Sequence, residues 1–279
     1  MYGIGTLTAS YIYDTLVRIP GNEAHSFLRR IAPEFHEYRR IRQMFIASRE
    51  HKYLYVVNPK VASTSIRNRL RELNGYPPLD NPREVMGHKG SGFVLPKHMN
   101  KDELYRICSG REGYFNFSFV RNPFDRLASA YTYFQQVVEE RKSYGAKNSI
   151  YLRAKDPHRD PKTRQKMPFD EFIKGVCTPT EFSQDQHWRT QTDVLKADFI
   201  DYSFIGKIEN FSSDFTHVLR CLSAPEPVIA RAGDVTNASK RKQRALRDLF
   251  DEKSADLVRD KFQEDFRRFG YPLEIPSGE

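Results

Sequence analysis

The chain has 279 residues, 39% of them hydrophobic, and a formal net charge of +9. That length holds one large α/β domain or two small ones, and the apolar residues fall in short runs, which excludes a disordered chain. No run approaches ~18 apolar residues, so no membrane-spanning helix is expected. Met1 to Pro20 lack a basic start followed by an apolar core, so they do not read as a secretory signal. The three cysteines, Cys108, Cys177 and Cys221, have no metal-type spacing and an odd count, and read as small buried hydrophobes in a reducing compartment.

In chain order, Glu23 to Arg49 is helical in pattern and broken at Pro33, so residues 1–50 read as a helical N-terminal arm. The apolar run 53–57 predicts a strand and 64–73 a helix. Asn74 to Lys97 reads as a loop, and Asn100 is placed to cap a helix over 101–109 that Gly110 ends. A strand over 114–120 and a helix over 123–140 follow. Further on come a helix from Pro168 through Val176, a strand over 202–206, and helices over 211–222, 241–250 and 253–269. In the last of these Ala255, Val258, Phe262, Phe266 and Phe269 recur on one face. Alternating strands and helices predict an α/β fold, a P-loop-like parallel sheet flanked by helices on both faces, in a single domain of residues 1–279 with helical additions at both ends.

Asn58 to Arg67, between the first strand and its helix, carries the most chemistry. A strand, a tight turn of small and hydroxyl residues with one lysine, then a helix N-terminus is the layout of a phosphate cradle. The first helical N–H groups lack intrahelical acceptors and the dipole favours an anion. Ser63, Thr64 and Ser65 add hydroxyls, Ala62 and Ile66 add backbone N–H groups, and Lys60 adds a point charge. The nucleotide-hydrolase signature is not met, because the loop has no glycine and Lys60 stands three residues before Ser63.

A second strand runs into Arg121-Asn122-Pro123-Phe124-Asp125-Arg126-Leu127-Ala128-Ser129-Ala130-Tyr131. Pro123 suits the first turn of a helix, Arg121 sits at a strand end where α/β sheets present ligand-binding groups, and Ser129 lies about one and two-thirds turns into the helix at ~3.6 residues per turn.

These two segments, in this order, resemble the 5′-phosphosulfate loop and the 3′-phosphate element of sulfotransferases that use 3′-phosphoadenosine 5′-phosphosulfate (PAPS). His187-Trp188-Arg189-Thr190-Gln191 resembles the H-W-x-x-Q element of carbohydrate sulfotransferases of the chondroitin, dermatan and HNK-1 group. Phe204-Ile205-Gly206-Lys207-Ile208-Glu209 resembles their F-[IV]-G-[RK]-x-E junction. The ending with Asp265-Phe266 and Phe269-Gly270-Tyr271 is similar to theirs, with Phe262 in place of a usual tyrosine. The resemblance spans about residues 53 to 271.

It implies the sulfotransferase fold and transfer of a sulfuryl group from PAPS to a hydroxyl, most readily on an oligo- or polysaccharide. Lys60 with Ala62 to Ile66 would hold the phosphosulfate, and Lys60 would stabilise the departing oxygen. Arg121 and Ser129, joined by Ser239, Lys240 and Arg241, would hold the 3′-phosphate. A histidine would act as base near neutral pH. His98, 23 residues before Arg121, matches the spacing of the catalytic histidine in heparan 2-O-type enzymes; His88, in the same loop region, competes for the role or contacts the acceptor, His187 competes for it or is structural, and Glu84 and Asp102 are the fallback carboxylates. No metal is implied. Golgi members carry an N-terminal membrane anchor that these 279 residues lack, and with Met1 at the start the expectation is a cytoplasmic, bacterial enzyme.

Residues 141–166 hold nine Lys and Arg against two Asp, which is most of the net charge. They read as a basic surface insertion, and Arg153, Lys155, Arg159 and Lys162 would steer an anionic acceptor. The alternative function is a P-loop-like kinase or nucleotide-binding protein. A nucleic-acid-binding protein ranks last, because the charge is concentrated in one loop and no recognition motif is present.

Overall fold

The computed structural model describes residues 23–80, 91–140, 167–180, 184–234 and 246–277. These fall into two compact units. One takes the residues up to Asn58, from Ala62 to Phe119 and from Leu195 to 234; the other takes Pro59–Val61, those from Val120 to Val194, and 246–277.

The first unit is mixed α/β, built on a four-strand sheet flanked by helices. Its strands, β1 (Phe45–Ser48), β2 (Tyr53–Val56), β3 (Phe115–Val120) and β4 (Phe204–Lys207), lie in the order β1-β2-β3-β4. β2 pairs parallel with β3, Tyr53 opposite Phe115 and Tyr55 opposite Phe117, as expected for a strand-helix-strand crossover. β1 runs antiparallel to β2, Phe45 opposite Val56. Helices occupy Glu23–Ile31 and Phe35–Met44, with the break at Pro33 as read, but the next four residues are a sheet edge, which corrects the reading of helix as far as Arg49. Phe45, Ile46, Ala47 and Ser48 are all buried, and a continuous apolar run has no period by which helix and strand can be told apart.

β2 and β3 are aromatic and β-branched and almost wholly buried, the composition of a strand covered on both faces. Within β3 the side-chain donors of Asn116 and Ser118 are paired, while Asn116 Oδ1 is buried with no hydrogen-bond partner among the described residues. Asn116 donates its amide to the carbonyls of Ile107, Cys108 and Asp201, and the Ser118 hydroxyl donates to Val56 O at 2.6 Å. Phe119 packs among Phe204, Phe211 and Phe215 with ring centroids 5.6–6.5 Å apart. Asn100 caps the helix Lys101–Cys108 as expected, accepting from Glu103 N–H. Among the cysteines Cys108 alone is buried; Cys177 is half-buried and Cys221 exposed, which corrects the reading of all three as core residues.

The second unit is helical. Pro123–Glu140, Phe169–Cys177, Glu252–Lys261 and Gln263–Phe269 enclose a core of Phe124, Leu127, Phe134, Phe172, Trp188, Phe250, Val258, Phe262 and Phe266. The predicted helix 253–269 is two helices that meet at Phe262, where φ −107° and ψ 17° leave helical geometry. Phe262 itself is 1% exposed. Trp188 meets Phe134 and Phe172 edge-on, so this residue of the H-W-x-x-Q element anchors the core. No helix among the described residues is long and apolar enough to cross a membrane.

Candidate active site

The loop after β2 is tight although it contains no glycine. Lys60 and Ala62 both take left-handed backbone conformations, φ 72° and 54°, which cost side-chain-bearing residues about 1–3 kcal/mol and persist where the surroundings enforce them. Ala62 is the N-cap of the helix Ser63–Leu73, with no side-chain cap, and the first backbone bond of that helix runs from Ile66 N–H to Ala62 O at 3.1 Å. The N–H groups of Ser63, Thr64 and Ser65 therefore precede the intrahelical ladder. The helix starts one residue earlier than the sequence pattern indicates, because three hydroxyl residues fit a first turn as well as they fit a loop.

Asn58 fixes the end of β2: its amide Nδ2 donates to Phe119 O at 3.0 Å. The three residues after it belong to the second unit, and two arginines there take up the carbonyls of Pro59 and Lys60. Arg126, 1% exposed, donates Nε–H to Pro59 O at 3.3 Å, Nη1–H to Arg189 O at 2.6 Å and Nη2–H to Gln186 O at 3.0 Å. Arg121 donates Nη1–H to Lys60 O at 3.1 Å and Nε–H to Asp125 at 2.6 Å. Sequence reasoning gave Arg126 no role. Its signal was the second arginine of the 121–131 motif, placed where a helix facing a core would carry an apolar residue.

Gln191 holds the backbone of Arg121 from both sides. It accepts Arg121 N–H at 3.0 Å and donates to Arg121 O at 2.8 Å. Asp265, fully buried, accepts from Gln191 N–H, Thr192 N–H and the Thr192 hydroxyl at 2.7–2.8 Å. Burial pushes its carboxyl pKa up, against those hydrogen bonds and the charge of Arg126. Gln191 of the H-W-x-x-Q element and Asp265 of the C-terminal element thus brace the strand-end arginine.

The Lys60 ammonium has no carboxylate partner among the described residues. It sits over the face of Tyr133, 4.4 Å from the ring centroid, a cation–π contact. Burial first, then the charges of Arg121 and Arg126, lower its pKa to about 8. Asp125, Ser129 and Tyr133 follow one another at four-residue spacing, so they share a stripe of the helix; Ser129 is 6% exposed. The same ring of Tyr133 stacks on His187. The structure thus brings Lys60, Arg121 and Ser129 into one unit together with Arg126, Tyr133 and His187. His98 lies in the other unit, exposed, on a short 3-10 turn. Its Nδ1 accepts Leu95 N–H at 3.2 Å, and lost hydration together with Lys97, Arg49 and Arg42 lowers its pKa. His88, Glu84, Arg153, Lys155, Arg159, Lys162, Ser239, Lys240 and Arg241 lie outside the described residues.

A family model described as the sulfotransferase family matches residues 43–272. The chain belongs to the sulfotransferase family. It is 28% identical over 181 residues to carbohydrate sulfotransferase 11 of Rattus norvegicus, covering 63% of this chain and 51% of the relative. It is 27% identical over 235 residues to carbohydrate sulfotransferase 14 of Danio rerio, covering 83% and 63%. It is 24% identical over 238 residues to carbohydrate sulfotransferase 10 of Xenopus laevis, covering 80% and 66%. The chain spans about half to two thirds of the length of these curated sulfotransferases. No solved structure matches it significantly. The sheet, the loop at 59–66 and the strand-end arginine all fall within the part that matches the sulfotransferase family.

Proposed function

We propose that the protein is a PAPS-dependent O-sulfotransferase whose acceptor is a carbohydrate hydroxyl. The observation that carries this reading is the cation set around Lys60. Its ammonium has no carboxylate partner among the described residues, and burial, followed by the charges of Arg121 and Arg126, lowers its pKa. Such a charge is waiting for an anion, and a phosphosulfate supplies one. Left-handed residues before a helix N-terminus that has no side-chain cap are backbone features that suit an oxyanion. PAPS, when bound, supplies the activated sulfuryl group. In this reading Lys60 neutralises the phosphate oxygen left when sulfur departs, Arg121 and Ser129 hold the 3′-phosphate with Ser239, Lys240 and Arg241, and a histidine accepts the acceptor's proton. The names of the relatives support a carbohydrate acceptor.

Thermal unfolding with nucleotides tests the donor. Adenosine 3′,5′-bisphosphate without metal should raise Tm, since a ligand at ~100 times its Kd stabilises by roughly 2.7 kcal/mol. ATP with Mg²⁺ should do much less. A larger shift with ATP and Mg²⁺ would transfer the assignment to a kinase-like protein. Radiolabelled PAPS with a panel of oligosaccharides then identifies the acceptor.

A further inference from the structure

His187 is joined to Asp185 by two hydrogen bonds. Its ring Nδ1 lies 2.7 Å from Asp185 Oδ1, and its backbone N–H donates to the same oxygen at 2.8 Å. A carboxylate only accepts, so Nδ1 carries the proton and donates it. The neutral ring then has its lone pair on Nε2, for which no hydrogen-bond partner is recorded among the described residues. His187 keeps 24% of its side chain exposed, so the ring is not closed off from solvent.

His98 has the opposite arrangement. Its Nδ1 accepts a backbone N–H from Leu95. Its neutral ring therefore carries the proton on Nε2, and that nitrogen is a donor rather than a base.

Position agrees with tautomer. Tyr133 has Lys60 Nζ 4.4 Å from its ring centre and the His187 ring centre at 5.1 Å, 28° from parallel. The two groups are thus held within roughly 10 Å of each other. That upper bound admits in-line transfer, in which a base holds the attacking oxygen and a cation holds the leaving oxygen, each at ~2.6–3.2 Å.

We propose that His187, oriented by Asp185, is the general base of this sulfotransferase, and that Asp185 is its positioning residue. The proposal rests on the sulfotransferase reading above. Nε2 of His187 takes the proton of the acceptor hydroxyl as that oxygen bonds to sulfur. The bond from sulfur to the phosphate oxygen breaks, and its electron pair stays on that oxygen beside Lys60. The products are the sulfate ester, adenosine 3′,5′-bisphosphate and a protonated His187, which then releases its proton to water. Tyr133 keeps the base and the lysine in register.

The experiment measures loss of sulfate from PAPS, both to chondroitin and to water, so a rate is available with or without a correct acceptor. Bisphosphate affinity is measured in parallel by calorimetry. His187→Ala should lower the rate ~10²–10⁴-fold with bisphosphate affinity near wild type, and added imidazole should restore part of it. Asp185→Asn should lower kcat with little change in KM. His187→Gln, which keeps a planar group against Tyr133 and a donor towards Asp185, should be folded and equally slow; it decides the matter if His187→Ala does not fold. His98→Ala should stay active. An active His187→Gln, a slow His187→Ala that imidazole does not revive, or a His98→Ala loss of the same size would each overturn the assignment and leave the sulfotransferase reading standing. A wild-type protein that neither binds bisphosphate nor consumes PAPS would overturn both.

Discussion

The guanidinium of Arg121 donates to the carbonyl oxygen of Lys60 at 3.1 Å. One hydrogen bond thereby joins two motifs sixty-one residues apart, and it falls on a residue whose backbone is left-handed. Arg126 does the same for Pro59. The loop's carbonyls are thus satisfied by two cations, whose charges also act on Lys60.

Burial of Lys60, together with those charges, predicts a pH dependence. In the free protein Lys60 titrates near about 8, below the ordinary lysine value of 10.5. A base with a depressed pKa is protonated at a cost to the fold, so deprotonation between these values stabilises the free protein. An anion beside Lys60 favours the protonated form. Bisphosphate affinity should therefore fall above pH 8, by up to about tenfold per unit, with proton uptake visible as buffer-dependent heat. Lys60→Gln should bind more weakly and lose this dependence; an unchanged slope in that variant would remove Lys60 from the binding equilibrium.

Ser129→Ala and Arg121→Ala should separate. Ser129 is expected to touch only the phosphate that does not react, so its loss should weaken bisphosphate binding and leave the saturated rate intact. Arg121 also holds the Lys60 carbonyl, so Arg121→Ala should lower both affinity and kcat. Lys60→Ala should lower kcat most, because its charge matters most as the leaving oxygen becomes anionic. Steady-state kinetics with varied PAPS distinguishes the three; equal KM and kcat effects in Ser129→Ala would contradict its role.

The brace should be measurable as stability. Asp265→Ala removes the acceptor of three donors, and a buried donor left unpaired costs about 1–3 kcal/mol. Urea unfolding should show a loss of at least that size, and bisphosphate affinity should drop although Asp265 is not placed among the ligand contacts. Gln191→Ala should show the same pair of effects, more weakly. Full affinity in both variants would mean that Arg121 is held in place without them.

Gly206 tests the sheet. A Cβ built there would lie 2.5 Å from a ring carbon of Phe119, and that ring is fully buried among aromatic neighbours. Overpacking costs about 1–3 kcal/mol, so Gly206→Ala should lower Tm. Phe119→Leu should recover part of the loss in the double variant, giving a coupling energy of roughly 0.5 kcal/mol or more. Additive effects would place the clash elsewhere.

Much was legible before any coordinates. Buried strands β2 and β3, the parallel crossover, the capping Asn100 and the loop-to-helix turn after β2 are local patterns, each written in a few neighbouring residues by periodicity, turn chemistry and capping. What local pattern does not encode is partnership over distance. Phe45–Ser48 continues an apolar helical run, and only the backbone of Val56 and its neighbours made it a strand. Phe262 fits the apolar face of one long helix, yet packing into the core breaks the helix there. The role of Arg126 depends on three carbonyls from two distant segments. The two histidines differ through one hydrogen bond each: a backbone N–H at Nδ1 of His98 and a carboxylate at Nδ1 of His187. The amino-acid sequence by itself determined membership of the sulfotransferase family, because the motifs that carry it are particular residue types at short spacing. Only the tertiary structure decided which nitrogen of which histidine carries a lone pair, because a tautomer is set by whatever group the fold places beside the ring.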